Sequence, residues 1–126
     1  MKFEKSVDLS DKILQLTLKK LYIEPTTRCN FRCEMCVKQS SEQNIKEGDM
    51  SLATFQRLLP HMSTLDAVFF SGIGEPTLHP DLPGFIKTAR MHLPTKATIG
   101  LQSNGSLLTA SLFNQLVNKG LNRICL

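Results

Sequence analysis

The sequence has no tryptophan and a single tyrosine, Tyr22, so platforms for stacking nucleic-acid bases are poorly supplied. Basic residues outnumber acidic ones by only 15 to 11, and Lys19-Lys20 is the sole adjacent basic pair. Charge scattered in this way is a solvated face; no run has the length of a nucleic-acid-binding tail. No apolar stretch reaches the roughly 20 residues needed to cross a bilayer. Between Met1 and Leu18, the charges of Lys2, Glu4, Lys5, Asp8, Asp11 and Lys12 interrupt any apolar core of a secretory leader. Nor are the cysteines spread like a disulfide framework: of the four, three fall between positions 29 and 36. Closely clustered thiols without a leader point to metal or redox use, and the cytoplasm is the expected compartment. What remains is 126 residues, 41% apolar, enough for the core of one modest domain.

The clustered thiols lie in Cys29-Asn-Phe-Arg-Cys33-Glu-Met-Cys36, spaced C-x3-C-x2-C. Thiolates are soft ligands that suit zinc and iron–sulfur clusters. A cubane 4Fe–4S cluster usually takes four cysteines. With three, one iron lacks a protein ligand, and an open position on a metal is where a substrate can bind. A structural zinc site is the plainer alternative, but zinc wants four ligands, usually from two paired motifs. No second pair exists: Cys125 is a leftover thiol, expected to be a buried apolar residue, and His61, His79 and His92 lie outside the loop. His79 is expected to be structural.

The rest of the chain alternates. Residues 1–17 are weakly patterned and read as a lead-in. Leu18 to Thr26 holds a short strand stopped by Pro25, and the cysteine stretch follows it. The polar segment from Lys38 to Asp49 reads as loop. Ser51 caps a helix whose stripe is Leu52, Phe55, Leu58, Leu59 and Met62, ended or kinked by Pro60. Ala67-Val68-Phe69-Phe70 is a short apolar run, expected as a strand buried on both faces. Ser71 to Pro76 breaks it. Asp81 caps a second helix with Pro83 in its first turn and Phe85, Ile86, Ala89 and Leu93 as its stripe; Pro94 stops it. Ala97 to Gln102 reads as a third strand, followed by Ser103-Asn104-Gly105. Thr109 caps a third helix with Leu112, Phe113, Leu116 and Val117 on one face, and Gly120 suits the left-handed position past its end. Leu121 to Leu126 begins a fourth strand. Strand, loop and helix recur three times before that last strand, which predicts an α/β fold with a parallel sheet and right-handed crossovers. Ligands of such sheets bind beyond the carboxyl ends of the strands, where all three unusual stretches fall.

The cysteine spacing resembles the cluster motif of the radical S-adenosylmethionine (radical SAM) superfamily, and two further stretches strengthen the likeness. Gly72-Ile73-Gly74-Glu75-Pro76 resembles the family's Gly-Gly-Glu-Pro stretch, with Ile73 in place of one glycine. Ser103-Asn104-Gly105 resembles its Thr-Asn-Gly stretch. The resemblance covers about Leu18 to Leu126. It implies a 4Fe–4S cluster held by Cys29, Cys33 and Cys36, with the methionine part of S-adenosylmethionine on the fourth iron. One electron cleaves the sulfonium to give a 5′-deoxyadenosyl radical, which abstracts hydrogen from a substrate. Gly72, Gly74, Glu75 and Pro76, with Ser103 and Asn104, are the implied cofactor-binding residues. Glycine lets backbone approach a ligand closely, Glu75 can accept from the ligand's amine, and Ser103 or Asn104 can bond its carboxylate or ribose. Arg28, Arg32 and Lys38 either balance the charge of the cluster or form a solvated face. An electron donor such as a ferredoxin or flavodoxin is implied as partner. Met35 before the third cysteine resembles members that modify peptides or cofactors, such as the tungsten-containing aldehyde oxidoreductase cofactor-modifying proteins.

The implied architecture is a partial (β/α) barrel of about three and a half βα units, truncated, with residues 18–126 as the N-terminal portion of the core domain. A piece of this kind is expected to expose apolar surface at its fourth strand and to aggregate when made alone. The rival reading, from another class, is a non-catalytic remnant that binds a metal or a partner through the cysteine loop.

Overall fold

A computed structural model describes residues 18–40 and 44–126. The lead-in expected over residues 1–17 lies outside them. Strands β1 (Lys20–Ile23), β2 (Ala67–Phe70), β3 (Thr98–Gln102) and β4 (Arg123–Cys125) form one parallel sheet in the order β1-β2-β3-β4. Helices α1 (Leu52–Gln56), α2 (Leu82–His92) and α3 (Ala110–Lys119) connect them. The expected α/β alternation is therefore the fold, and each unusual stretch leaves the carboxyl end of a strand.

The side-chain period of two sorts the strands into faces. Ile23, Val68, Phe70, Ile99 and Leu101 are buried and share one core with Phe55, Phe85, Ile86, Ala89 and Leu116 from the helices. Full burial of one such side chain stabilises by about 1.5–3 kcal/mol. Phe55 stacks on Phe85 with ring centroids 4.2 Å apart, tying α1 to α2. The other face differs. Tyr22 is 66% exposed and stacks on half-buried Phe69 at 5.3 Å. The Phe69 ring lies over Gly100, where an added Cβ would come within 2.2 Å of it. Strand β2 was expected to be buried on both faces; the helices cover one.

Ser51 caps α1 as expected, accepting from Thr54 N at 3.1 Å, but the helix stops at Gln56. Pro60 explains the stop: its ring opposes the carbonyl four residues earlier, and it has no N–H for that bond. A 3-10 turn, Leu59–His61, carries the chain on and still buries Met62, whereas Leu52 at the head of the stripe is exposed. In α2, Leu82, Phe85, Ile86 and Ala89 are the buried stripe. Asp81 stands at its N-cap, but its side chain makes no capping bond. Thr109 does cap α3, accepting from Leu112 N at 3.1 Å, and Gly120 ends it at φ 117°. Of the α3 stripe only Leu116 is fully buried; Phe113 and Val117 are exposed and line a groove of about 380 Å³ with Leu121 and Ile124. Cys125 is exposed, contrary to expectation, because the pleat of β4 turns Ile124 to the core and Cys125 to the uncovered face beside Gln102.

Candidate active site

The loops after β1, β2 and β3 meet around one cavity of about 290 Å³. Cys29 and Cys33 line it from the first loop, Gly72, Gly74 and Glu75 from the second, and Gln102, Ser103 and Asn104 from the third. Cys36 and Pro76 do not line it; Pro76 is buried at the start of a 3-10 turn, Pro76–Leu78.

All three loop cysteines are free thiols, Cys33 exposed and Cys29 and Cys36 half-buried. Their loop is held by few bonds of its own: Cys36 N donates to Cys33 O at 2.9 Å and Phe31 N to Cys29 Sγ at 3.5 Å. Among the described residues, no three His, Cys, Asp or Glu side chains converge on one ion position. A single zinc ion would need its thiolates within about 2.3 Å of one point. A cluster spreads its thiolates over separate irons, and three soft, unpaired thiols on one loop are a donor set that fits one.

The flanks of that loop are anchored firmly. The Arg28 guanidinium donates to both oxygens of Asp49 at 2.9 Å and to Leu78 O at 2.9 Å. Asp49 also accepts from the Thr26 hydroxyl at 2.6 Å. Arg28, and then Thr26, hold the Asp49 carboxyl below its usual range, and Asp49 in turn raises Arg28. Lys38 pairs with Glu47, holding that carboxyl low, and donates to Thr27 O at 2.7 Å. Arg28 and Lys38 thus fasten the loop to the Lys46–Met50 segment. His79 is structural, as expected: its Nε2 faces Met50 O at 3.0 Å and its Nδ1 accepts from Asp81 N at 3.1 Å.

The glycines of the second loop are needed for a different reason from the one expected. A Cβ on Gly72 would lie 2.2 Å from Glu24 Oε1, and one on Gly74 would lie 2.1 Å from Thr26 O and 2.7 Å from Arg28 O. Both side-chain directions are filled by the first loop and its approach, so glycine here permits loop against loop. Ile73, the departure from the family pattern, donates its N–H to Glu24 Oε1 at 2.6 Å.

Glu75 is only 2% exposed. Its Oε1 accepts from Thr77 N (3.1 Å), Thr77 Oγ1 (2.6 Å) and Ser103 Oγ (2.8 Å), and its Oε2 from Asn104 N (2.7 Å). Asn104 Nδ2 donates to Asn30 Oδ1 at 2.9 Å, inside the cysteine stretch. Glu24, Asn30, Thr77 and Gln102 were not singled out from the sequence. Glu24 and Gln102 sit at carboxyl ends of strands, the position that in such folds carries function, and that placement could have flagged them.

Comparison with known proteins agrees with this geometry. The family model described as the radical SAM superfamily matches residues 23–126. The chain is 36% identical over 110 residues to a tungsten-containing aldehyde ferredoxin oxidoreductase cofactor-modifying protein of Pyrococcus furiosus, covering 85% of this chain and 30% of that protein. It is 32% identical over 103 residues to a GTP 3′,8-cyclase of Chlorobaculum tepidum, covering 81% and 30%. The chain thus spans about a third of the length of these curated relatives. The crystal structure of BtrN in complex with AdoMet and 2-DOIA has the same fold, with a TM-score of 0.75, 24% identity, and coverage of 85% of this chain and 44% of that one. No helix among the described residues is long and apolar enough to cross a membrane. On its sequence from Ile23 to Leu126 and on its sheet topology, the chain belongs to the radical SAM superfamily, whose cofactors are a 4Fe–4S cluster and S-adenosylmethionine.

Proposed function

We propose that Cys29, Cys33 and Cys36 ligate a 4Fe–4S cluster and that the adjoining cavity receives S-adenosylmethionine, as the N-terminal part of a radical enzyme. The observation that carries this reading is the meeting of three soft thiols with the Gly-Glu-Pro and Ser-Asn-Gly loops around one cavity. Held by Cys29, Cys33 and Cys36, such a cluster would supply the one-electron reduction by which S-adenosylmethionine is cleaved for hydrogen abstraction from a substrate.

The chain's own contribution is placement. Cys33, exposed at the cavity wall, and Cys29 line the space that would receive the cofactor. Gly72, Gly74 and Glu75 form the second wall, with Pro76 following them into the 3-10 turn, and Ser103 and Asn104 form the third. The likeness to the Pyrococcus furiosus cofactor-modifying protein supports modification of a cofactor as the overall task. A ferredoxin or flavodoxin is the electron donor this reading requires, and the unpaired thiols favour a reducing compartment such as the cytoplasm.

Anaerobic reconstitution of the chain with iron and sulfide tests it. The expected product is brown, with broad visible absorption, and releases 5′-deoxyadenosine on reduction with S-adenosylmethionine. A colourless protein that retains one tightly held zinc instead would establish the non-catalytic alternative.

A further inference from the structure

We propose that Glu75 is a positioning residue: its buried carboxylate sets the Ser103–Ser106 turn and, through Asn104, the cysteine loop, without itself touching the cofactor. The inference rests on the cofactor reading above and assigns this carboxylate a different task from the amine contact that the sequence implied.

Four donors from the protein already meet this carboxylate: Thr77 N, Thr77 Oγ1, Ser103 Oγ and Asn104 N. An ionised carboxyl offers about four lone-pair sites. The donors are all neutral, and the group is almost fully buried. Three of those donors crowd Oε1 and one meets Oε2, and at 2% exposure little of the carboxylate is open to a ligand ammonium. The two bonds to the third loop, moreover, lead on to others. Ser103 Oγ donates to Glu75 and accepts from Gly105 N at 3.0 Å, where the backbone turns at φ 76°. Asn104 Oδ1 accepts from Ser106 N at 3.0 Å and from Ser106 Oγ at 2.7 Å, which closes the turn. Asn104 Nδ2 reaches Asn30 Oδ1, and Asn30 Nδ2 donates to Ser106 Oγ at 2.8 Å. Asn30 is the residue after Cys29. From the other side, Glu75 N donates to Arg28 O at 2.8 Å, the residue before Cys29. Glu75 therefore holds both neighbours of Cys29, one through its backbone and one through the turn. If that brace is lost, a smaller fraction of molecules has the loops in register. A ligand's apparent affinity falls by that fraction whatever group the ligand carries.

Two measurements on the full chain test this. In the cluster-free protein, Glu75→Gln should speed hydrogen exchange of the Asn104 and Gly105 amides, where no cofactor is present to mask or mimic the effect. In the reconstituted protein, affinity is measured for S-adenosylmethionine and for the analogue with hydrogen in place of the α-ammonium. Glu75→Gln should weaken both by one common factor, roughly tenfold, so that their ratio stays at the wild-type value. Ser103→Ala, which cuts the brace and leaves the carboxylate, should move both in the same direction. It also supplies the comparison if Glu75→Gln fails to fold by circular dichroism. The proposal is overturned if Glu75→Gln weakens S-adenosylmethionine alone and erases the preference for the ammonium, or if exchange at Asn104 and Gly105 is unchanged. A wild-type protein that takes up the cluster and binds neither ligand defeats the cofactor reading itself, an outcome distinct from a shifted ratio.

Discussion

Cys33 and Glu75 face the same cavity, one exposed and the other 2% exposed. The cysteine stretch makes two bonds of its own near the thiols, whereas the Glu75 carboxylate alone takes four. Both belong to loops that leave parallel strands of one sheet, so the sheet is not the source of the difference. The difference lies in what completes each loop. Glu75 is completed by the chain: Thr77, Ser103 and Asn104 supply every donor. Of the thiols, only Cys29 Sγ has a donor, Phe31 N at 3.5 Å, and soft ligands left so open are what a cluster would order when it binds, with metal binding contributing folding free energy. One side of the site is built by the chain itself; on the function proposed above, a cluster would complete the other.

The largest test of that contrast removes the open side. Replacing Cys29, Cys33 or Cys36 by Ala should abolish the visible absorption of the reconstituted protein while leaving the thermal midpoint of the cluster-free protein nearly unchanged. Cys125→Ala should leave the absorption nearly intact. If Cys125→Ala bleaches the protein as Cys33→Ala does, the ligand assignment fails. Gly74→Ala should act the other way round. Its Cβ would strike the Thr26 and Arg28 carbonyls, backbone that cannot move aside cheaply, so the cluster-free protein should lose about 1–3 kcal/mol in chemical denaturation. Gly84 on α2 is the control, since nothing lies within 4 Å of an added Cβ there. Gly84→Ala should stabilise the helix by roughly 0.5–1 kcal/mol and leave both sides of the site alone. A Gly74→Ala protein as stable as wild type would mean that the prebuilt side is softer than its bonds imply.

The smallest effect concerns acid. The Asp49 carboxyl is held low by Arg28 and Thr26, so its folded value lies below its unfolded one. The stability it contributes is present above the unfolded value and is lost as pH falls through the folded one, that is, below about pH 4. The flank of the cysteine loop should therefore loosen on acidification. Amide signals of Thr27 and Gly48, which lie beside this clasp, should report it in a pH titration by NMR, and Asp49→Asn should flatten the response.

The strong periodic signals were legible in the sequence for plain reasons. Leu82, Phe85, Ile86 and Ala89 repeat with the helix period, and α2 buries them. Thr109 and Gly120 bracket α3 because an N-cap hydroxyl and a left-handed glycine are local requirements. Local signals failed where a distant neighbour decided. Phe113 and Val117 share the apolar pattern of α3 but have no element packed over them among the described residues. Cys125 is apolar enough for a core, yet strand parity turns it outward. The glycines were marked for close approach of backbone to a ligand, and only the fold showed that the first loop and its approach lie against them.

The sequence by itself determined the α/β alternation, the three thiols, and the gathering of three loops at one edge of the sheet. Those follow from periodicity, ligand chemistry and the rule that parallel strands deliver their loops to the same side. The tertiary structure alone decided which groups each loop residue touches. Glu75, Ser103, Asn104 and Asn30 are joined by bonds spanning 28, 29 and 74 residues of chain. No local pattern encodes such pairs, because their geometry exists only once the strands are in register.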